Sequence, residues 1–151
     1  MTLTPSLELT FPADTLPLCL GDSLDQIEDR VSGWTVKRTE IIDAERVYIE
    51  LIGMGVEMLF KEGALASVTL HLAGDAHASG IFTGRTNLLD RATLEDPSDT
   101  SFVAVLEAQG FKPSQRSYPF ATDRLNDVMR IRLEARPDRR FVLIDSGARV
   151  R

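Results

Sequence analysis

His71, Asp75 and His77 stand close together in the run His71-Leu72-Ala73-Gly74-Asp75-Ala76-His77. Imidazole and carboxylate are the groups from which metal centres and proton-transfer sites are built. The spacing matches no common zinc pattern, and Cys19 is the single cysteine, so no thiolate pair can complete one. Surface or edge-strand histidines are the better account of the pair. A Ser-His-Asp triad needs no sequence adjacency, but no serine lies in Gly-x-Ser-x-Gly to mark a nucleophile. Cys19 sits in Leu16-Pro17-Leu18-Cys19-Leu20, where a buried, inert thiol is expected. Neither glycine-rich phosphate cradle is present; Gly53-Met54-Gly55 carries part of the dinucleotide pattern but joins two strand-like runs and reads as a turn. The chain is therefore expected to hold no metal or cofactor and to have no catalytic residues.

Two charge clusters could instead bind a partner. Asp22, Asp25, Glu28 and Asp29 fall at offsets of three, six and seven, on the polar side of a helix whose other side carries Leu24, Ile27 and Val31. They fit a patch that docks a cationic partner. They also fit a solvated helix face, with Asp22 and Asp25 favoured by the positive helix N-terminus. Arg130 and Arg132 alternate with Met129, Ile131 and Leu133, so both belong to one face of a strand, with Arg136, Arg139 and Arg140 at the turn that follows. They could meet carboxylates or phosphate; equally, they could be charge that discourages edge pairing.

These residues need a scaffold, and the apolar pattern supplies one. Leu7, Leu9 and Phe11 alternate as an opening strand, after which Pro12 and Pro17 imply a loop or an edge segment. Ser23 and Gln26 form a capping box for a helix over 23–32, with Gly33 as its stop. Strand patterns follow at 35–42, 47–52, 56–60 and 65–72, joined by short turns that favour an antiparallel meander. Residues 73–95 read mainly as a loop. Asp96 as cap and Pro97 as first residue open a second helix over 97–109, with Phe102, Val103 and Leu106 inward and Gly110 as its stop. Alternation at 128–133 and the run Phe141-Val142-Leu143-Ile144 add a strand pair, the second an interior one. The reading is one α+β domain over 1–151, with two principal helices packed on a largely antiparallel sheet. The same order of helix, Gly-aromatic and paired strands recurs in 20–72 and 96–145, which suggests a degenerate duplication.

Composition narrows the classes. The 151 residues are 43% hydrophobic and 26% charged, ordinary for one globular domain. Residues 1–75 hold 13 acids and 5 bases, and residues 76–151 hold 10 acids and 12 bases, within a net charge of −6. An acidic first half argues against direct nucleic-acid binding and permits attraction to a basic protein. The first basic residue is Arg30, and no apolar run approaches a membrane span, so a cytoplasmic protein is expected.

The succession of a helix, Tyr48-Ile49-Glu50-Leu51, Gly55-Val56-Glu57-Met58-Leu59-Phe60 and Gly63-Ala64-Leu65-Ala66-Ser67-Val68-Thr69-Leu70 resembles small bacterial immunity proteins of the bacteriocin and polymorphic-toxin type. Phe82-Thr83-Gly84 would occupy the linker and residues 125–145 the second hairpin. Tandem helix-plus-sheet inhibitors of secreted β-lactamases have a similar plan, but with disulfides that this chain lacks. The resemblance covers roughly 20–145. It implies stoichiometric neutralisation of a cognate toxin and assigns no contact residues. A secretion-system adaptor or chaperone needs the same features, and an enzyme or small-ligand-binding domain without a known motif is the third class.

Overall fold

The computed structural model describes residues 6–11, 14–41, 45–72, 80–95, 98–114, 120–136 and 139–146. The chain opens with β1 (Ser6–Thr10) and β2 (Thr15–Cys19), followed by α1 (Leu24–Arg30). A meander of β3 (Val36–Ile41), β4 (Arg46–Leu51), β5 (Val56–Lys61) and β6 (Ala64–His71) comes next. After β7 (Arg85–Thr86), α2 (Arg91–Glu95) and α3 (Asp99–Glu107), a second meander runs through β8 (Lys112–Pro113), β9 (Ala121–Leu125), β10 (Arg130–Ala135) and β11 (Arg140–Asp145). The fold is α+β and both sheets are antiparallel.

The large sheet has the order β3-β4-β5-β6-β11-β10-β9-β8, so the two meanders meet where β6 pairs β11. Each meander follows a helix, α1 or α3, and each supplies four strands; this extends the paired strands expected of each half. The turns explain the register. Glu62 (φ 51°) and Gly63 (φ 81°) close β5 onto β6 in two residues, the left-handed geometry that matches strand twist.

One face of this sheet is apolar across its five central strands, β4, β5, β6, β11 and β10. Ile49, Met58, Val68, Ile144 and Ile131 stand opposite one another across five strands, and Leu51, Val56, Leu70, Val142 and Leu133 do so beside them. All ten are buried. They join a single core cluster with Leu7, Leu9, Leu16 and Leu18 of the small sheet, Ile27 of α1, and Phe102 and Leu106 of α3. The small sheet has the order β2-β1-β7, so Pro17 lies on an edge strand, the position open to a residue without an N–H. Phe11 meets Trp34 and Phe82 edge-on, with centroids 5.3 and 5.7 Å apart, and ties the small sheet to α1 and the 80–82 segment.

Several local expectations change. The α1 capping box is present: Gln26 N donates to Ser23 Oγ and Ser23 N to Gln26 Oε1, each at 3.2 Å. Gly33, however, has no positive φ; α1 ends at Val31 (φ −104°, ψ 14°), and the N–H of Trp34 reaches back to Val31 O at 3.0 Å. Gly110 (φ 92°) is the helix-ending glycine the pattern implies. α3 begins two residues later than expected, capped by Ser98, whose Oγ accepts from Ser101 N at 3.2 Å. Asp96 and Pro97 lie outside the described residues. The stretch read mainly as a loop contains β7 and α2. Asp90 caps α2 by accepting from Thr93 N at 2.7 Å, and its bonds to Thr93 hold its carboxyl below the usual range. No described helix is long and apolar enough to cross a membrane.

Candidate protein-binding surface

The sequence places four acids together, and the fold gives them different surroundings. Asp22 precedes the N-cap rather than standing on the helix. Its carboxylate accepts from Cys19 N at 3.0 Å and from Arg30 Nη1 at 2.7 Å, closing the turn from β2 into α1. Glu28 accepts from Arg38 Nη1 on β3 through both oxygens, at 3.0 and 2.9 Å. Asp25 and Asp29 are exposed, one helical turn apart, on the outer side of α1. The outward negative charge of α1 is therefore carried by these two, while Asp22 and Glu28 are balanced by arginines.

The opposite, polar face of the large sheet forms an open groove of about 1170 Å³. The strand registers dictate what it presents. Tyr48, Leu59, Ser67, Asp145, Arg130 and Leu125 lie opposite one another across β4, β5, β6, β11, β10 and β9. Beside them run Glu50, Glu57, Thr69, Leu143, Arg132 and Asp123. Tyr48, Glu57, Leu59, Ser67, Thr69, Leu143 and Asp145 line the groove, Arg46 and Lys61 line its β4–β5 side as well, and the β10 arginines stand beyond it. At one end His71 stands opposite Phe141, with rings 6.5 Å apart, and the Arg139 guanidinium covers the outer side of Phe141 at 5.3 Å.

Arg130 and Arg132 do share this face, as their alternation requires, and each has a carboxylate. Arg130 donates to both oxygens of Asp145, through Nε at 3.1 Å and Nη2 at 2.5 Å. Arg132 donates to both oxygens of Asp123, at 2.6 and 3.1 Å. Arg130 and Asp123 are buried. A forked pair of this kind fixes both side chains and uses the donors that an external phosphate would need. The sequence shows the arginines but not their partners, which come from neighbouring strands. The signal that could have found them is the acid at the matching inward-counted position of each flanking strand, once a meander is assumed.

The groove's rim touches α1. Leu20 and Gly21, which line it, lead into Asp22, and the Leu24 N–H donates to Gly63 O at 2.9 Å across the β5–β6 turn. Glu45 and Glu62 also line this rim and are joined by a backbone bond of 2.9 Å. Arg46 and Lys61 line the same stretch, so the rim carries both signs of charge, and Asp25 and Asp29 stand outside the groove's lining on α1. Cys19, the last residue of β2, is half-buried, and burial followed by the Asp22 charge pushes its thiol up from the usual value. That is the behaviour of an inert cysteine.

Asp75 and His77 lie outside the described residues. Among the described residues no three His, Cys, Asp or Glu side chains gather to hold a metal ion. Comparison with known protein families, with curated proteins and with solved structures finds no match to this chain.

Proposed function

We propose that the chain is a non-catalytic binding protein of the toxin-immunity type, which neutralises a cognate bacterial toxin domain by occupying it one-to-one in the cytoplasm. The observation that supports this best is the open groove of about 1170 Å³ on the polar face of the large sheet. Small-ligand pockets are enclosed and run to roughly 300–1,000 Å³. This groove is larger and open, dimensions that suit a protein surface. The partner is a basic domain, not nucleic acid and not a membrane. Asp25 and Asp29 on α1 supply the attraction, Asp22 holds the turn that presents them, and Glu28, the fourth acid of the cluster, is balanced by Arg38. The two principal helices, α1 and α3, pack on the sheet as equivalent parts of two degenerate halves, 20–72 and 96–145, of a single domain. A secretion-system adaptor or chaperone would use the same groove for an extended segment of its cargo.

The test is co-expression with the product of a toxin-type gene encoded beside this one. The reading expects protected growth and a one-to-one complex. It also expects Asp25→Asn with Asp29→Asn to slow association several-fold at low salt and hardly at all at high salt, where exposed charges are screened beyond roughly 8 Å. Cells that die despite abundant folded protein, with no complex formed, would remove the immunity reading. Protection of the toxin-producing cell by export instead of inhibition would favour the adaptor.

A further inference from the structure

The two edges of the large sheet are finished differently. At one end β8 spans two residues and contains Pro113, so it offers almost no template for another strand. At the other, β3 runs six residues in unbroken register with β4 and has no second neighbour among the described strands. Val36 and Ile41 at its two ends are 40% and 39% exposed, and Ile52 beside it is 39% exposed. Three charges, Lys37, Arg38 and Glu40, lie between them.

The main-chain phase of this edge can be read from the structure. Ile52 N donates to Thr35 O at 2.9 Å, so the pair just before β3 is a hydrogen-bonded one. Antiparallel pairs alternate, so Thr39 directs its peptide groups toward β4, while Arg38 and Glu40 direct theirs outward. The side chains of Arg38 and Glu40 share one face and form an ion pair of 2.8 Å. A twofold axis perpendicular to the sheet, through Thr39, then gives a second copy a matched register. Arg38 of each copy falls opposite Glu40 of the other, both directions of main-chain hydrogen bonding are made, and Lys37 lies across from Ile41. Shifting the axis to Arg38 would set Arg38 against itself, and a one-residue slip would violate the twofold because it reverses the faces.

The geometry points to β3 as a homodimer edge: two copies pair antiparallel about Thr39, joining their large sheets into one and setting their grooves side by side. This is independent of what the groove binds. The occupant is a second copy because the strand is complementary to itself in charge at that register, and the β3 edge has the length, unbroken register and apolar ends that the other edge lacks.

Charge exchange tests it. Arg38→Glu gives one variant two acids on the pairing face, and Glu40→Arg gives another two bases there. Each variant alone faces like charge, whereas the two mixed face opposite charge at every position. Sedimentation equilibrium of the wild-type chain should show a reversible equilibrium between 16.7 kDa and twice that mass. Each variant alone should dissociate at least tenfold more readily, and an equimolar mixture should recover a dimer containing one of each. Misfolding cannot produce that recovery. A wild-type chain that stays monomeric at high concentration overturns the proposal and leaves the edge to a strand from another protein. Variants that dimerise as the wild type does, or a mixture that remains monomeric, overturn the assigned strand and register.

Discussion

Gly53 and Gly55 occupy the same turn, both with positive φ, and replacing each by alanine should have very different consequences. At Gly53 (φ 81°) a Cβ would have nothing within 4 Å. Only the left-handed backbone penalises it, by roughly 1–2 kcal/mol. At Gly55 (φ 67°) the Cβ would lie 2.2 Å from Phe82 N, 2.4 Å from Ile81 C and 2.8 Å from Ile81 Cα. Ordinary carbon contacts need about 3.5–4.0 Å, so the crossing segment would have to retreat by more than about 1 Å. That retreat breaks the Phe82 N–H bond to His71 O at 2.7 Å, costing about 1 kcal/mol. It also loosens the fully buried Phe82 ring, where complete truncation costs roughly 3–5 kcal/mol. Gly55→Ala should therefore lose about 4 kcal/mol, a large part of the roughly 5–15 kcal/mol a domain has. With a urea slope of about 2 kcal/mol/M, its midpoint should fall by about 2 M and that of Gly53→Ala by less than about 1 M. Equal shifts for the two variants would refute the close crossing of the 80–82 segment over this turn.

Other consequences are as specific. Asp123→Ala should destabilise by about 2–4 kcal/mol in a denaturant titration, because its side chain is 2% exposed and accepts two charge-assisted bonds from Arg132; Arg136→Ala, at a side chain 49% exposed, should cost under about 1 kcal/mol. Phe111→Ala should lower the unfolding midpoint more than Trp34→Ala does, because Phe111 is buried behind Gly110 whereas Trp34 is only partly buried against Phe11. Cys19 should alkylate more slowly than a free thiol at pH 8, since burial raises its pKa and leaves less thiolate; reaction at the free-thiol rate would contradict its half-buried placement.

The central strands were legible because one face of the large sheet is apolar across five of them. Val56, Met58 and Phe60 repeat every second residue, and that period leaves little choice of register once Glu62-Gly63 sets the turn. α2 was not legible: it is five residues long, too short for a periodic signal, and is held by bonds from outside itself. Arg91 Nη1 donates to Gly84 O at 2.6 Å, and Asp90 caps its start. Gly33 and Gly110 look alike in sequence, each followed by an aromatic residue, yet only Gly110 takes the left-handed conformation; α1 closes through Val31 instead. The acids of α1 were visible as a cluster, but Arg38, which neutralises Glu28, arrives from β3 ten residues on. The groove was invisible for the same reason at larger scale. Its facing residues are the polar half of each strand, whose neighbours come from chain segments far apart, as Ser67 and Asp145 are across β6 and β11.

Stoichiometry is the most direct test of binding as opposed to catalysis. A fixed amount of the toxin domain encoded beside this chain would be titrated with the purified protein, and residual toxin activity read after the mixture has equilibrated. A stoichiometric inhibitor lowers activity linearly to an end point at one equivalent, does no more with longer incubation, and releases active toxin when the complex is dissociated. Activity that falls to zero with a tenth of an equivalent, deepens with time and does not return on separation would mean that the chain acts by turnover, contrary to the binding role proposed for its groove and the exposed acids of α1.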